Sequence, residues 1–200
     1  QADTRSGTLV VAEEQTAGRG RFPERSWKSE AGKNLLFTIY LDPGLAALPA
    51  LPLRIGLALC EAVGAAAPGA FPGEGPRLKW PNDLLLSGRK AAGILCEAGP
   101  TGVFAGVGLN CNQTAFPPGL EGSATSLALE LGREVDRWGL LELFLDRLRA
   151  ALADPDWRRA VEDRLWRRNE TVAFRPGLSA RGVPSAVPSA VPSAVPAAVP

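Results

Sequence analysis

The sequence contains no histidine and no methionine, and it has only three cysteines and one tyrosine. Without histidine, the chain lacks the commonest general base and the commonest zinc ligand, which excludes Ser-His and Cys-His catalysis by this chain. Because methionine is absent, the sequence does not open at a natural start, and we expect further residues before Gln1.

Disulfides and membrane segments are also missing from the pattern. The cysteines Cys60, Cys96 and Cys111 are odd in number and lie in apolar stretches, which favours buried, reduced thiols over a disulfide framework. No run approaches the roughly 18 to 20 apolar residues of a membrane span, and no signal-peptide pattern opens the chain. We therefore expect a cytoplasmic protein, and its net charge of +1 argues against a broad polyanion-binding surface.

What the chain does contain suits one domain with a substantial core, since its 200 residues are 46% hydrophobic. Short apolar runs separated by turn residues predict strands at 8–12, 34–41, 77–80, 84–86, 90–98 and 103–110. Apolar residues at helical spacing predict helices at 52–67, 126–131, 136–153 and 156–168, with Thr125 as the cap of the second. We expect an α+β fold, in which a mixed, largely antiparallel sheet carries helices packed on it.

The C-terminal part of the chain changes character. Residues 171–174 read as a further strand, and 171–177 as the start of a small β domain. From 178 to 200 the sequence is a low-complexity tail of Ser-Ala-Val-Pro repeats, and proline at every fourth position forbids helix interiors and central strands. We expect this tail to be extended or disordered.

The loop of residues 15–27 lies between two apolar runs and combines three arginines, two glycines and Trp27. The glycines allow close approach of the backbone to a ligand, and the arginines supply planar donors for carboxylate or phosphate oxygens. Trp27 offers a flat face on which a ring can stack. The loop therefore reads as a site for an anion with a flat group attached, or alternatively as a solvated basic turn.

Two later stretches also place polar residues among strands. In Lys79-Trp80-Pro81-Asn82-Asp83, the lysine suits a phosphate or an acyl phosphate, and the Asn-Asp pair suits a base, a ribose or magnesium. The alternative is an Asx-type turn with Lys79 in solvent, and the residues alone leave both interpretations open. Gly106 and Gly108 mark close approach of a ligand or backbone, but no dinucleotide fingerprint or P-loop is present.

These stretches together resemble the catalytic domain of biotin–protein ligase over about residues 8–174. The matching segments are Gln15–Arg21 with Trp27, Lys79–Asp83, Arg89–Lys90 with Gly93–Leu95 and Glu97, Gly106–Asn110, and Ala124–Leu127. The resemblance implies a fold like that of class II aminoacyl-tRNA synthetases and biotin synthetases. It also implies a biotin- and ATP-binding catalytic domain over 1–170, truncated at its N-terminus and followed in the family by an SH3-like barrel.

The resemblance further implies a two-step reaction, in which ATP and biotin give biotinoyl-5′-AMP and the acyl group passes to a lysine of a biotin carboxyl carrier protein. ATP would act with Mg²⁺, whose ligands the sequence does not identify. The resemblance assigns biotin binding to Gln15, Gly18, Arg19, Gly20, Arg21, Lys79 and Gly93. ATP binding falls to Arg19, Arg21, Trp27, Asn82, Asp83, Lys90 and Asn110. Catalytic roles fall to Arg21, Lys79 and Lys90.

Two rival functions remain open at this point. A lipoate– or octanoate–protein ligase or transferase would share the fold and the carrier target, whereas a nucleic-acid-binding module would use the arginine-rich loop on phosphates. The resemblance also suggests a homodimer. Binding to DNA is expected only if an N-terminal winged helix precedes the sequence.

Overall fold

The computed structural model describes residues 5–22, 24, 26–71, 75–168 and 170. Its elements are β1 (Leu9–Ala12), β2 (Leu35–Leu41), α1 (Pro43–Ala46), α2 (Leu51–Ala66), β3 (Arg77–Lys79), β4 (Asp83–Leu86), β5 (Arg89–Gly99), β6 (Gly102–Leu109), α3 (Leu127–Leu131), α4 (Arg137–Ala153) and α5 (Trp157–Arg164). The predicted strand at 171–174, the β domain at 171–177 and the tail at 178–200 lie outside the described residues.

The helices of the structure differ from the predicted ones in three details. The short helix α1 was not predicted, and it forms because Asp42 caps it by accepting from the Leu45 backbone N–H and Pro43 suits its first position. Ser126, not Thr125, caps α3, since the Ser126 side chain accepts from the Leu129 N–H. Finally, α5 ends at Arg164 rather than 168.

The six strands form one sheet in the order β1-β2-β6-β5-β4-β3, and every pairing between neighbouring strands is antiparallel. Parallel contacts occur only as isolated bridges, between Leu78 and Leu165 and between Lys90 and Ala124, among the residues described. The predicted α+β fold with a largely antiparallel sheet is therefore confirmed.

One face of the sheet carries the core. Alternate residues of the central strands, such as Phe37, Ile94 and Val107, are buried beneath α2 and α4. The ring centroids of Phe37 and Phe144 lie 5.2 Å apart, and a Cβ added at Gly56 of α2 would come within 2.6 Å of the Leu78 side chain. Because strand side chains alternate, the residues between these core positions face away from the helices.

The two long helices are joined by a buried arginine. Arg54 of α2 is 4% exposed, and its Nη1 donates to the carbonyls of Ala151 at 2.9 Å, Leu152 at 3.3 Å and Asp154 at 3.2 Å. These carbonyls end α4 and have no partner within the helix. The guanidinium also lies 4.6 Å from the ring centroid of Trp157. Arg54 therefore holds the C-terminal end of α4 and the start of α5 against α2.

The three cysteines are free, and Cys60 and Cys111 are buried while Cys96 is half-buried. Burial raises the pKa of Cys60 and of Cys111 to about 12 and that of Cys96 to about 11. The thiols therefore stay protonated near neutral pH, as predicted for structural cysteines. In the described ranges, no helix has the length and apolar character needed to cross a membrane.

Replacing Arg54 by methionine should lower the free energy of unfolding by about 2–4 kcal/mol, because the α4 carbonyls would remain buried without a donor. Urea denaturation followed by circular dichroism measures this change. Arg149→Met is the matched control, since Arg149 lies exposed on α4, and it should shift the stability by no more than about 0.5 kcal/mol. Equal effects of the two substitutions would contradict the role of Arg54.

Candidate active site

The candidate site is a cavity of about 170 Å³ on the sheet face opposite the helices. It lies between the 15–27 loop and the strands β2, β5 and β6. Of the residues predicted for the site, those that line it are Gln15, Arg19, Gly20, Arg21, Trp27, Asn82, Lys90 and Gly93. The structure therefore brings together the 15–27 loop, Lys90 and Gly93 of β5, and Gly106 and Gly108 of β6.

The indole of Trp27 packs against two glycines, Gly93 and Gly108. Gly93 of β5 and Gly108 of β6 are direct cross-strand partners. A Cβ added at Gly108 would lie 2.6 Å from Trp27 Cε2, and one added at Gly93 would lie 3.3 Å from Trp27 Cζ3. The close approach predicted for Gly108 is thus made by a side chain of the loop. The indole Nε1 is buried and has no hydrogen-bond partner among the described residues, so this donor becomes available to a ligand only when the indole moves.

The backbone fixes where this indole lies. Trp27 N donates to the Gly18 carbonyl at 3.0 Å, and Arg19 pairs with Ser26 in an antiparallel bridge. A Cβ at Gly18 would lie 2.6 Å from the Trp27 carbonyl oxygen. Gly18 does not line the cavity, and its observed contribution is to let the two sides of the loop touch.

The loop arginines differ in their partners. Arg19 Nη2 lies 2.8 Å from Glu97 Oε2, and both side chains are substantially exposed. Water screens such a pair, so an anionic ligand can compete for Arg19 at little cost. The Arg21 guanidinium carbon lies 5.7 Å from the ring centroid of Phe22. Arg25 lies outside the described residues.

Lys90 reaches the cavity because of an irregularity in β5. Leu84 pairs with Ala92 and Leu85 with Lys90, so Ala91 has no opposite residue on β4. In a regular strand Lys90 would face the core, on the side opposite to Gly93. The extra residue reverses the alternation, as β-bulges do. Lys90 Nζ consequently lies 2.7 Å from Asp83 Oδ1 and 5.8 Å from the ring centroid of Trp27.

Asn82 and Asp83 have structural partners in β5. Asn82 Nδ2 donates to the Ile94 carbonyl, and the Ile94 N–H donates to the Asn82 carbonyl, both at 2.9 Å. Asn82 lines the cavity, whereas Asp83 does not and reaches it only through its ion pair with Lys90. These contacts with β5 hold Asn82 and Asp83 at the edge of the site.

Lys79 and Asn110 are not brought into the cavity by the described structure. Lys79 is exposed at the end of β3, with its Nζ 5.4 Å from the ring centroid of Trp166. Asn110 is 3% exposed, and its Nδ2 donates to the Thr125 carbonyl at 2.9 Å. Lys79, Asn110, Asp83 and Gly18 therefore lie outside the cavity lining, and the binding and catalytic roles of all the predicted site residues stay predictions.

Sequence reasoning missed some residues that line the cavity, notably Thr38 and Phe104. Thr38 pairs with Gly106 on the site face of β2, and its cue was a small hydroxyl side chain between the apolar residues Phe37 and Ile39. Phe104 pairs with Glu97 and is 41% exposed. Nothing in the local pattern separated this phenylalanine from the core residues beside it.

The arrangement suits an anion with a flat ring attached. Three cations, Arg19, Arg21 and Lys90, line the cavity together with the indole of Trp27. Two of them are paired with carboxylates that a bound anion can replace. The cross-strand pair Gly93 and Gly108, which forms a glycine strip, lets a ligand or the indole lie directly on the sheet backbone.

The model of the biotin/lipoate A/B protein ligase family matches residues 1–113. The chain belongs to this family. The resemblance drawn from the motifs is thereby confirmed, and the match favours it over the nucleic-acid-binding module.

The curated relatives of this biotin/lipoate ligase family domain are longer proteins. The chain is 39% identical over 148 residues to the bifunctional ligase/repressor BirA of Bacillus spizizenii, covering 70% of this chain and 44% of that protein. It is also 39% identical over 160 residues to the biotin–[acetyl-CoA-carboxylase] ligase of Mycobacterium tuberculosis, covering 77% and 56%. The chain therefore spans about half the length of these curated relatives.

A solved structure shares the fold. The biotin protein ligase of Aquifex aeolicus, in complex with biotin and ATP, superposes with a TM-score of 0.74 at 30% identity. The superposition covers 82% of this chain and 70% of that chain. The fold of the family domain is thus established over most of the chain.

Replacing Gly108 by alanine should displace the Trp27 indole, since the new methyl group would overlap the ring, at a cost of about 1–3 kcal/mol. We expect a changed near-ultraviolet circular dichroism spectrum and a lower midpoint of urea denaturation. Gly64→Ala adds the same methyl group in α2, where no atom other than those of the adjacent helix backbone lies within 4 Å, and should leave the spectrum unchanged. An unchanged spectrum in Gly108→Ala would contradict the described seat of the indole.

Proposed function

We propose that this domain is an ATP-dependent biotin–protein ligase, which forms biotinoyl-5′-AMP and transfers the biotinoyl group to a lysine of a biotin carboxyl carrier protein. The observation that carries the proposal is the cavity itself, where Arg19, Arg21 and Lys90 surround a glycine strip and an indole. The biotin and ATP named in the complex of the similar Aquifex ligase support this choice over lipoate or octanoate.

In the first step the biotin carboxylate attacks the α-phosphorus of ATP. A new P–O bond forms, the bond to the β-phosphate breaks, and pyrophosphate leaves. Both reacting groups are anionic, so they approach only when cations offset their repulsion. Arg21 and Lys90, which both line the cavity, would do this, while Gln15, Arg19, Gly20 and Gly93 would contact the biotinoyl part of the adenylate.

The nucleotide would lie on the Trp27 side of the cavity, beside Asn82. The buried Nε1 of Trp27 can donate to an acceptor of the ligand once the indole shifts from its glycine seat. Such a shift would also enlarge a cavity that is now smaller than the roughly 300–1,000 Å³ of most small-molecule sites. Closure of the 15–27 loop over the adenylate would slow hydrolysis of this mixed anhydride.

Mg²⁺ would enter as part of the ATP complex. The described residues contain no group of three or more Cys, Asp or Glu side chains that could hold a metal ion. Magnesium commonly binds through substrate phosphates and one or two carboxylates. The phosphates of ATP would therefore supply most of its ligands, and the ion would add charge neutralisation at the α-phosphate.

In the second step the uncharged amine of the acceptor lysine attacks the biotinoyl carbonyl, an amide forms, and AMP leaves. No enzyme nucleophile is needed, in keeping with a chain that lacks histidine and has protonated thiols. The name of the Mycobacterium tuberculosis relative supports a carboxylase carrier domain as acceptor. Homodimer formation, and DNA binding through a preceding winged helix, stay predictions.

Incubation of the protein with [α-³²P]ATP, Mg²⁺ and biotin should give labelled biotinoyl-AMP. Addition of a purified biotin carboxyl carrier domain should then consume the adenylate and attach biotin to that domain, but not to its acceptor-lysine→Arg variant. Parallel reactions with lipoate and octanoate identify the substrate. Adenylate formed from either of these, and none from biotin, would overturn the proposal.

Lys90→Ala should lower the rate of adenylate formation by about 10²-fold or more, because a charge beside the reacting groups would be lost. Lys79→Ala decides whether the lysine outside the cavity also acts, as the family resemblance implies. A matching loss in Lys79→Ala would require Lys79 to move to the site on ligand binding. Wild-type rates in Lys90→Ala would remove Lys90 from the mechanism.

A further inference from the structure

Glu130 is an enclosed carboxylate in α3, outside the cavity. Its side chain is 8% exposed. Oε1 accepts from Thr125 Oγ1 at 2.6 Å and from Arg89 Nη2 at 2.7 Å, while Oε2 accepts from Ser87 Oγ at 2.6 Å. Three hydrogen bonds to one buried carboxylate, two from the β4–β5 hairpin and one from Thr125, make Glu130 a junction between α3, this hairpin and the segment before α3.

The hydrogen-bond partners of Glu130 flank Lys90, one in the sequence and one through backbone hydrogen bonds. Arg89 directly precedes Lys90. On the other side, the Thr125 N–H donates to the Lys90 carbonyl and the Lys90 N–H donates to the Ser123 carbonyl, both at 2.9 Å. The Glu130 carboxylate therefore holds Arg89, which precedes Lys90, and the segment 123–125, which is hydrogen-bonded to the backbone of Lys90.

This tether lies where the sheet itself is irregular. Ala91 has no opposite residue on β4, and the bulge there turns Lys90 toward the cavity. A bulge locally disrupts the ladder of hydrogen bonds, so the direction of Lys90 depends on contacts from outside β4. The segment 123–125 supplies these contacts, and Glu130 fixes that segment through Thr125.

The charge of Glu130 suits this role. Burial alone would raise the pKa of this carboxyl, but the hydrogen bonds from Ser87 and Thr125 and the Arg89 guanidinium outweigh it, and the pKa lies below its ordinary value. Glu130 is therefore ionised near neutral pH. An ionised acceptor forms stronger hydrogen bonds than a neutral amide can.

We propose that Glu130 is a positioning residue for Lys90, holding its ammonium group at the reacting phosphate through Arg89 and Thr125. This inference rests on the proposed ligase function. Glu130 would contact neither substrate, and its effect would reach the reaction only through Lys90.

Glu130→Gln tests the inference, since glutamine keeps the size but loses the charge and one acceptor oxygen. Under single-turnover conditions we expect biotinoyl-AMP formation to slow about ten- to hundred-fold, as small misplacements of a catalytic group do, with the KM values of biotin and ATP within about twofold of wild type. Glu134→Gln is the control, because Glu134 is exposed and pairs only with Lys33 in the described contacts; it should leave the rate unchanged.

A double-mutant cycle separates positioning from mere stabilisation. If Glu130 acts through Lys90, Glu130→Gln should cause no further loss in a Lys90→Ala background. If it only stabilises the fold, the two losses should multiply, or the loss should vanish once rates are normalised to the active sites counted by adenylate burst. Either result would overturn the inference.

Thr125 provides a second test if Glu130→Gln does not fold. Thr125→Ser keeps the hydroxyl that donates to Glu130 and should retain the wild-type rate. Thr125→Val keeps the shape but removes the donor, and it should reproduce the slow adenylation. Equal rates in these two variants would contradict the proposal. Absence of biotinoyl-AMP with the wild-type protein would instead refute the proposed function, so the two failures are distinguishable.

Discussion

The register of β5 against β6 governs both faces of the molecule. Because strand side chains alternate, this single alignment sends Ile94 and Val107 into the helix-covered core and sets Gly93 opposite Gly108 on the other face. The core face is closed by packing, with Arg54 holding α4 to α2. The helices α2 and α4 do not cover the opposite face, so the loop, the indole and a ligand can lie directly on the backbone there.

Two of the three cations that line the site are paired with carboxylates before any ligand binds. Arg19 is paired with Glu97 and Lys90 with Asp83, at 2.8 Å and 2.7 Å. Such pairs hold the cations near the cavity without burying unpaired charge, and an incoming carboxylate or phosphate can take the place of the protein carboxylates. The site is thus arranged for exchange of anions, which suits a reaction whose two reactants are both negatively charged.

The direction of Lys90 depends on contacts distant in sequence. Its strand partner on β4 is offset by the bulge at Ala91, and its backbone is instead held by the segment 123–125. That segment is tied in turn by Asn110 through the Thr125 carbonyl and by Glu130 through the Thr125 hydroxyl. Precision at the lysine therefore comes from a polar network that lies mostly outside the cavity.

The sequence by itself determined the elements and the family. Apolar periodicity located the strands and the long helices, and the loop of residues 15–27 pointed to an anion site, because these depend on neighbouring residues. Local pattern could not show that Ser126 caps α3, that Trp27 lies on Gly108, or that Thr38 and Phe104 line the cavity. Simple alternation would turn Lys90 away from the site, and only strand pairing, with its unpaired Ala91, decided otherwise. Register and bulges arise from contacts between distant segments, and so the tertiary structure alone sets which polar residues meet.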